Sequence, residues 1–419
     1  MSIKAPRGTK DALPDQVGRR RALEDRARRI FAAAAYREIM TPIFEEKDLF
    51  VRSIGQATDI VEKEMFALGG EGDLCLRPEM TAGVVRAYLE HNLHKSEPFQ
   101  KFCYFGPLFR RERPQAGRLR QFHQIGIEAL GSGDPLIDAE AITLSLRLLA
   151  DSGVGDVRTR LNSMGCPECR PAYREALKGY FGSKLGELCP ECKARLDRNV
   201  LRILDCKKDS CRGISGDAPR AAESLCEECA SHHGRVTQAL DRLGIKYEID
   251  HRIVRGLDYY TKTVFEFSSD RLGAQDALGG GGRYDGLIKE LGGPALGACG
   301  VALGVERILI ASEGAGEVPA RTHGVFIVTT SEALRQGAFE LVEALRAGGI
   351  QADLGHEAKS FKAQMRMADG LGARYAIILG EDEAARGAVS VKELATGDQC
   401  ELPRAGVISY LMEKGGWTA

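Results

Sequence analysis

FRRERPQAGRLRQFHQIGIE, residues 109–128, decides how the rest of the chain is read. It reads as strand, turn, strand. Pro114 and the Gln115-Ala116-Gly117 stretch break the extended pattern and favour a turn. Side chains alternate along a strand, so Arg110 and Glu112 share one face of the first arm. On the second arm Arg118, Arg120, Phe122, Gln124 and Glu128 share a face, while Gln121, His123, Ile125 and Ile127 take the other. The two isoleucines suit a core. The polar face gathers guanidiniums, one aromatic ring, an amide and a carboxylate. That set suits the floor of a site for a phosphorylated, ring-containing ligand and a polar side chain. The same residues also suit the solvated face of a surface hairpin.

Outward from this stretch, a chain of 419 residues calls for two or three domains. Residues 15–35 read as a helix, with Leu23, Ala27 and Ile30 at helical spacing and Arg19, Arg20 and Arg21 on its solvated face. Residues 38–45, EIMTPIFE, read as extended. Pro42 cannot donate to a ladder, which puts this segment at a sheet edge or against a partner surface. Residues 74–90 run from a strand end into a helix, and 138–151 form an amphipathic helix. Residues 253–267 lead from a charged, glycine-containing segment into an alternating strand. Gly279 to Gly282 mark a place where backbone passes close to another group. Residues 297–310 go from strand to helix, and 313–322 read as a linker. From Gly324 onward β and α units alternate, which predicts an independent α/β domain of roughly one hundred residues.

A hydrophobic content of 43% and a charged content of 28% fit a globular chain. No apolar run reaches the roughly eighteen residues a membrane span needs. The N-terminus lacks the apolar core of a secretion signal, so a cytoplasmic protein is expected. The net charge of −1 leaves a nucleic-acid partner open, because local basic patches can bind phosphate in a neutral chain.

Eight of the twelve cysteines fall between Cys166 and Cys229. They pair as Cys166/Cys169, Cys189/Cys192, Cys206/Cys211 and Cys226/Cys229. That is enough thiolate for two tetrahedral zinc sites of four cysteines each. Spacing alone does not say which pairs combine, and His232 or His233 can replace a cysteine. Composition marks residues 163–232 as an insertion with little apolar content, to which a metal would supply folding energy. Reduced thiols without metal, and an iron–sulfur cluster or redox switch, are the other readings. Four thiolates leave no open coordination position, so a metal here would staple rather than catalyse.

Several motifs carry a family resemblance. FRRERPQAGRLRQFHQIGIE resembles motif 2 of the class II aminoacyl-tRNA synthetases in its histidyl form. YREIMTPIFE (36–45) resembles motif 1, and GVALGVERI (300–308) resembles motif 3. VRGLDYYTKTVFE (254–266) and GGGGRYDGL (279–287) resemble the two histidine-specific stretches of the histidyl-tRNA synthetases. RGTKDALP (7–14) and LRPEMTAG (76–83) match as well, with Met80 where glycine is commoner. The insertion departs from the better-known members.

The resemblance implies an α+β fold. An antiparallel-sheet catalytic domain would span residues 1–320, interrupted by the insertion, and an anticodon-binding α/β domain would span 322–419. It implies a ligase that activates histidine with ATP and Mg2+ to histidyl-adenylate and pyrophosphate, then passes histidine to the 3′ end of tRNA(His). Arg110 would hold the α-phosphate and the carboxylate, and Arg255 would be the catalytic cation beside that phosphate. Arg307 would hold the γ-phosphate and stack on adenine, Phe122 would stack on the other adenine face, and Glu112 and Arg118 would complete the nucleotide site. Glu79, Thr81 and Gln124 would take the histidine ammonium, and Glu128 and Tyr260, with Tyr259 nearby, its imidazole. The glycine run would give backbone access to the ring. The resemblance also implies a homodimer through the Pro42 segment, and tRNA phosphate contact from Lys207, Lys208 and Arg212 of the insertion.

Two rival readings stand beside this one: a non-catalytic, histidine-binding paralogue that regulates ATP phosphoribosyltransferase, and a tRNA- or metal-binding module. The C-terminal cluster Lys359, Lys362, Arg366 and Arg374 suits RNA or a solvated helix face equally.

Overall fold

The structure, a computed structural model, describes residues 3–55, 58, 60–69, 73–114, 117–254, 257–273, 276–312, 323–355 and 360–415. They fall into two compact units, one reaching residue 312 and the other starting at 323.

The first unit is built on an eight-stranded sheet. In spatial order its strands are Arg37–Glu38, Gln100–Phe109, Gln121–Leu130, Ala298–Gly304, Ala277–Arg283, Thr261–Ser268, Arg158–Ser163 and Glu248–Ile249. The six inner strands are antiparallel, and the short strand at each edge pairs parallel. Period-2 alternation decides which face each residue takes. Ile125, Ile127, Phe265, Phe267, Val301 and Leu303 enter one core. Helices Pro14–Ala33, Pro135–Asp151, Glu227–Arg242 and Val305–Ala311 bury residues in that same core. The opposite face carries Phe122, Gln124 and Glu128 of the strand Gln121–Leu130. The antiparallel sheet expected from the sequence is therefore present.

Two expectations are corrected. The hairpin arms are shorter than the alternation predicts. The strands pair only as far as Phe109 opposite Gln121, and a last bond joins Arg110 N to Arg120 O at 2.9 Å. Pro114 lacks an N–H, and Arg120 N donates to Gly8 O at 2.7 Å instead of a partner strand. Arg120 thereby leaves the polar face. Its guanidinium donates to the carbonyls of Glu112 and Arg7 at 3.3 and 3.4 Å.

The glycine run is a central strand of the sheet. A Cβ on Gly281 would fall 2.0 Å from Gly300 O, so the packing of neighbouring backbone leaves no room for a side chain.

Second, the insertion is not poor in core residues. Tyr173, Leu177, Phe181, Leu188, Val200, Ile203 and Leu204 are buried in one cluster with Met80, Val84 and Tyr88 of the catalytic unit. The helical spacing of Tyr173, Leu177 and Phe181 was readable, but the charged residues between them masked it. The strand Arg158–Ser163 belongs to the main sheet, and helix Glu227–Arg242 runs past the predicted end of the insertion to pack on helix Pro135–Asp151.

In the second unit five strands lie in the order Ala352–Leu354, His323–Thr329, Ala373–Leu379, Ala388–Glu393, Gln399–Pro403. The first three are parallel and the last two antiparallel. Helices Arg335–Ala347 and Val407–Gly415 bury Leu341, Leu345 and Leu411 in its main core, while helix Phe361–Gly370 buries Ala368 in a second cluster with Phe326 and Val328. The α/β alternation was legible; the strand Gln399–Pro403, exposed and half-buried by turns, was not. Of the basic cluster, Lys359 lies outside the described residues. Arg374 pairs with Glu393 at 3.6 Å, which leaves Lys362 and Arg366 exposed on the helix. Among the described residues no helix is long and apolar enough to cross a membrane.

Candidate active site

A cavity of about 640 Å³ opens on the polar face of the first unit's sheet. It collects Glu79, Thr81, Arg110, Glu112, Arg118, Phe122, Gln124, Tyr259, Tyr260 and Arg307, all singled out from sequence. Arg255 lies outside the described residues. Glu128 sits at the floor, bonded to cavity-lining groups.

At one end the side chains carry positive charge. Arg110 donates to Pro78 O at 2.9 Å, lies over the Phe122 ring at 5.3 Å and stands 3.9 Å from Glu112. Glu112 also pairs with Arg118. Arg307 donates to Gly117 O at 3.2 Å and to Ala277 O, which ties helix Val305–Ala311 to the motif 2 turn and the glycine strand. Burial lowers the Arg307 guanidinium from its usual pKa, and Arg118 and Arg110 push it the same way. An anion placed among these three cations relieves that repulsion.

At the other end two carboxyl groups share one threonine. Glu79 accepts from Thr81 N at 2.7 Å and Ala82 N at 3.0 Å, at the start of helix Thr81–Glu90. Thr81 Oγ1 donates to Glu128 at 2.6 Å. Glu79 thus sits as a carboxylate at a helix N-terminus while also lining the cavity. Burial raises the Glu79 carboxyl above its usual range despite those N–H bonds. Burial also pushes Glu128 up to about 8, against bonds from Thr81, Tyr284 and Tyr104 and with Glu79 adding to the rise. Two buried carboxyls held this way favour a ligand with N–H donors or positive charge at two points. The Tyr259 ring packs tilted against Tyr260 with centroids 4.7 Å apart and edge-on against Tyr284 at 5.5 Å.

Several contributors were missed in the sequence. Tyr284 donates to Glu128, and Tyr104 bonds the same carboxyl from the neighbouring strand. A Cβ on Gly300 would meet Glu128 Oε2 at 1.7 Å, so this glycine makes room for the carboxylate. Glu306 accepts from His123 N at 3.0 and 3.1 Å and from His123 Nδ1 at 2.7 Å, which locks the motif 3 helix to the motif 2 strand. Arg77 is buried and donates to Pro107 O, Thr41 O and Pro42 O at 3.0, 2.7 and 3.1 Å. The motif 1 proline is held against the motif 2 strand by that one guanidinium. Tyr284 and Arg77 lay inside quoted motifs, which was the available signal.

Behind the site a second set of buried charges fixes the strand end next to Tyr284. Arg283 donates to Asp138 at 2.6 Å, and His232 Nε2 lies 2.7 Å from the same carboxylate. Burial alone would raise the Asp138 carboxyl, but His232 and Arg283 hold it below its usual range. His232 is committed to Asp138, so the expectation that it can replace a cysteine is corrected.

The cysteines resolve into two sets of four: Cys166, Cys169, Cys226 and Cys229; and Cys189, Cys192, Cys206 and Cys211. Sulfur separations of 3.7, 3.8 and 3.9 Å in the first set and 4.0 Å in the second match the roughly 3.8 Å that tetrahedral Zn–S bonds of about 2.3 Å require. All twelve thiols are free.

An antiparallel sheet with a cationic end, a carboxyl-lined end and motif 2 between them defines the catalytic fold of a class II aminoacyl-tRNA synthetase. A histidyl-tRNA synthetase family model matches residues 8–169 and 183–308, and an anticodon binding domain model matches residues 324–414. The histidine–tRNA ligase of Moorella thermoacetica is 50% identical, with all of both chains covered. That of Halothermothrix orenii is 48% identical, covering 99% of this chain and 100% of the relative. Among solved structures, apo histidyl-tRNA synthetase of S. aureus superposes with a TM-score of 0.82 at 36% identity, covering 98% of this chain and 99% of that one. The chain belongs to the histidyl-tRNA synthetase family.

Proposed function

We infer that the chain is a histidine–tRNA ligase, an aminoacyl-tRNA synthetase that joins histidine to tRNA(His) with ATP as the activating substrate. The observation that carries the residue roles is the polarity of one cavity: three guanidiniums at one end, two buried carboxyls bridged by Thr81 at the other.

Histidine lies between these ends. Its ammonium is taken by Glu79, Thr81 and Gln124. Its imidazole pairs with Glu128 and Tyr260, with Tyr259 closing over the ring. Its carboxylate points toward Arg110 and attacks the α-phosphate of ATP, releasing pyrophosphate. Phe122 and Arg307 sandwich the adenine, Arg307 also takes the γ-phosphate, and Glu112 and Arg118 complete the nucleotide site. Arg255 is the cation beside the α-phosphate. Mg2+, carried in with ATP, neutralises phosphate charge. The residues' contribution is positioning and charge stabilisation, for which permanently charged, bidentate guanidiniums are suited. The terminal ribose hydroxyl of tRNA then attacks the adenylate carbonyl.

The catalytic domain is assigned to residues 1–320 and the anticodon-binding domain to 322–419; the insertion expected at 163–232 begins after Ser163, which ends a main-sheet strand, and leads into helix Glu227–Arg242. The match of full-length ligases, through the C-terminal unit, disfavours the regulatory-paralogue reading. A homodimer through the Pro42 segment is supported by Met40, Ile43 and Phe44, which are exposed there; sedimentation as a monomer would refute it. The cytoplasm is the assigned compartment, where tRNA and ATP are met. Each cysteine set is assigned one structural zinc. Purified protein with no zinc would refute that assignment.

ATP–pyrophosphate exchange across the twenty amino acids tests the function. Exchange with histidine is expected. Exchange with another amino acid, or with none, overturns it.

A further inference from the structure

The two cysteine sets occupy different places. Cys166, Cys169, Cys226 and Cys229 come from the two ends of the insertion and close its neck. Cys189, Cys192, Cys206 and Cys211 lie within it, and Cys206 lines the reaction cavity together with Lys207 and Lys208. Between Cys206 and Cys211 the chain reads CKKDSC, so the two lysines sit on a turn bounded on both sides by sulfur ligands. The Lys208 amide bonds the Cys206 sulfur, and Cys189 N donates to Cys211 Sγ at 3.3 Å. Lys208 N-caps the helix Asp209–Gly216. A zinc ion on the four sulfurs would pin this turn against the start of helix Pro190–Arg198.

Both lysine side chains are exposed, and among the described residues neither makes an ion pair. A second recess shares Cys206 and Lys207 with the cavity on one side and Glu266 and Ala277 on the other. Arg307 bonds Ala277, which places the lysine turn toward the nucleotide end of the cavity rather than the carboxyl end. Arg110, Arg118 and Arg307 already crowd there, and although Glu191, Asp205 and Glu266 also line the cavity, two further exposed cations add to a field suited to a ligand of high negative charge.

We propose that the Cys189–Cys192–Cys206–Cys211 set, holding zinc, is part of the reaction site: it presents Lys207 and Lys208 to the triphosphate of ATP. The inference rests on the ligase reading given above.

The test compares three proteins: wild type, the double variant Lys207→Ala/Lys208→Ala, and Cys206→Ser/Cys211→Ser. Zinc content, and the KM values for ATP and histidine in pyrophosphate exchange, are measured for each. The lysine variant, altered only at exposed side chains, is expected to keep two zinc ions and raise the KM for ATP on the order of tenfold, with the histidine KM unchanged. The cysteine variant is expected to lose one zinc ion and raise the ATP KM similarly. Adding the lysine changes to it should then have little further effect. An unchanged ATP KM in the lysine variant overturns the proposal, as does a defect confined to transfer onto tRNA, which would assign the lysines to RNA phosphates. Full zinc content in the cysteine variant also overturns it. Wild type that exchanges with no amino acid would instead refute the ligase reading, so the two failures are distinguishable.

Discussion

Replacing Glu128 by Gln tests the carboxyl proposed to bind the imidazole, without changing its shape. Glu128 is 1% exposed and receives hydroxyls from Thr81, Tyr284 and Tyr104. Against the ionised carboxylate present above about pH 8, glutamine keeps one acceptor oxygen and turns the other into a donor, which then faces a hydroxyl that was itself donating. One buried polar group is left badly paired, at a cost of about 1–3 kcal/mol. If that cost falls on the bound substrate, kcat/KM for histidine should drop roughly 5- to 150-fold, at tenfold per about 1.4 kcal/mol. The assay is pyrophosphate exchange with histidine varied at saturating ATP, then the reverse; the ATP KM should hold. The same substitution has a pH consequence. The folded carboxyl, at about 8, lies above the roughly 4.3 of an unfolded chain. A raised value means this contribution to stability is full below about pH 4.3 and is lost as pH rises through 8. The gap corresponds to about 5 kcal/mol. Gln cannot ionise, so urea titrations should find that the variant escapes this loss between mildly acidic and mildly alkaline pH. Unchanged histidine kinetics refute the imidazole role, and parallel stability–pH curves for the two proteins refute the account of the buried carboxyl.

Gly300→Ala puts a methyl group into Glu128, and histidine use should fall in step with any folded protein recovered, which a histidine titration of the exchange reaction reads. Asp138→Asn removes the negative charge from buried Arg283 and should cost about 3–5 kcal/mol, visible as a lowered unfolding midpoint. Because Asp138 is held below its usual range, that contribution is present above about pH 3.9 and is lost as pH falls through the folded value; acid titration of the Asn variant should lack that part of the decline. Arg255→Ala should leave a folded protein that binds tRNA and forms adenylate very slowly, and near-normal exchange would remove Arg255 from the mechanism.

Much of this protein is determined by residue order alone. The alternation of Phe122 and Gln124 with Ile125 and Ile127 sorts cavity from core, because a strand's period of two leaves no other choice. Arg110, Glu112 and Arg118 are legible for a different reason: the motif names them although no strand carries them, and only the turn's bonds to Gly8 and Glu64 decide their direction. The change of pattern after residue 323 likewise announces an α/β unit. What only tertiary structure decides is partnership across long separations. Cys166 finds Cys226 rather than Cys189, His232 goes to Asp138 rather than to a metal, and Gly300 is empty because Glu128 fills the space. Spacing constrains neighbours along the chain, within a turn or a strand. Which distant elements meet depends on how sheet register and helix packing bury apolar area together, and that is a property of the whole fold.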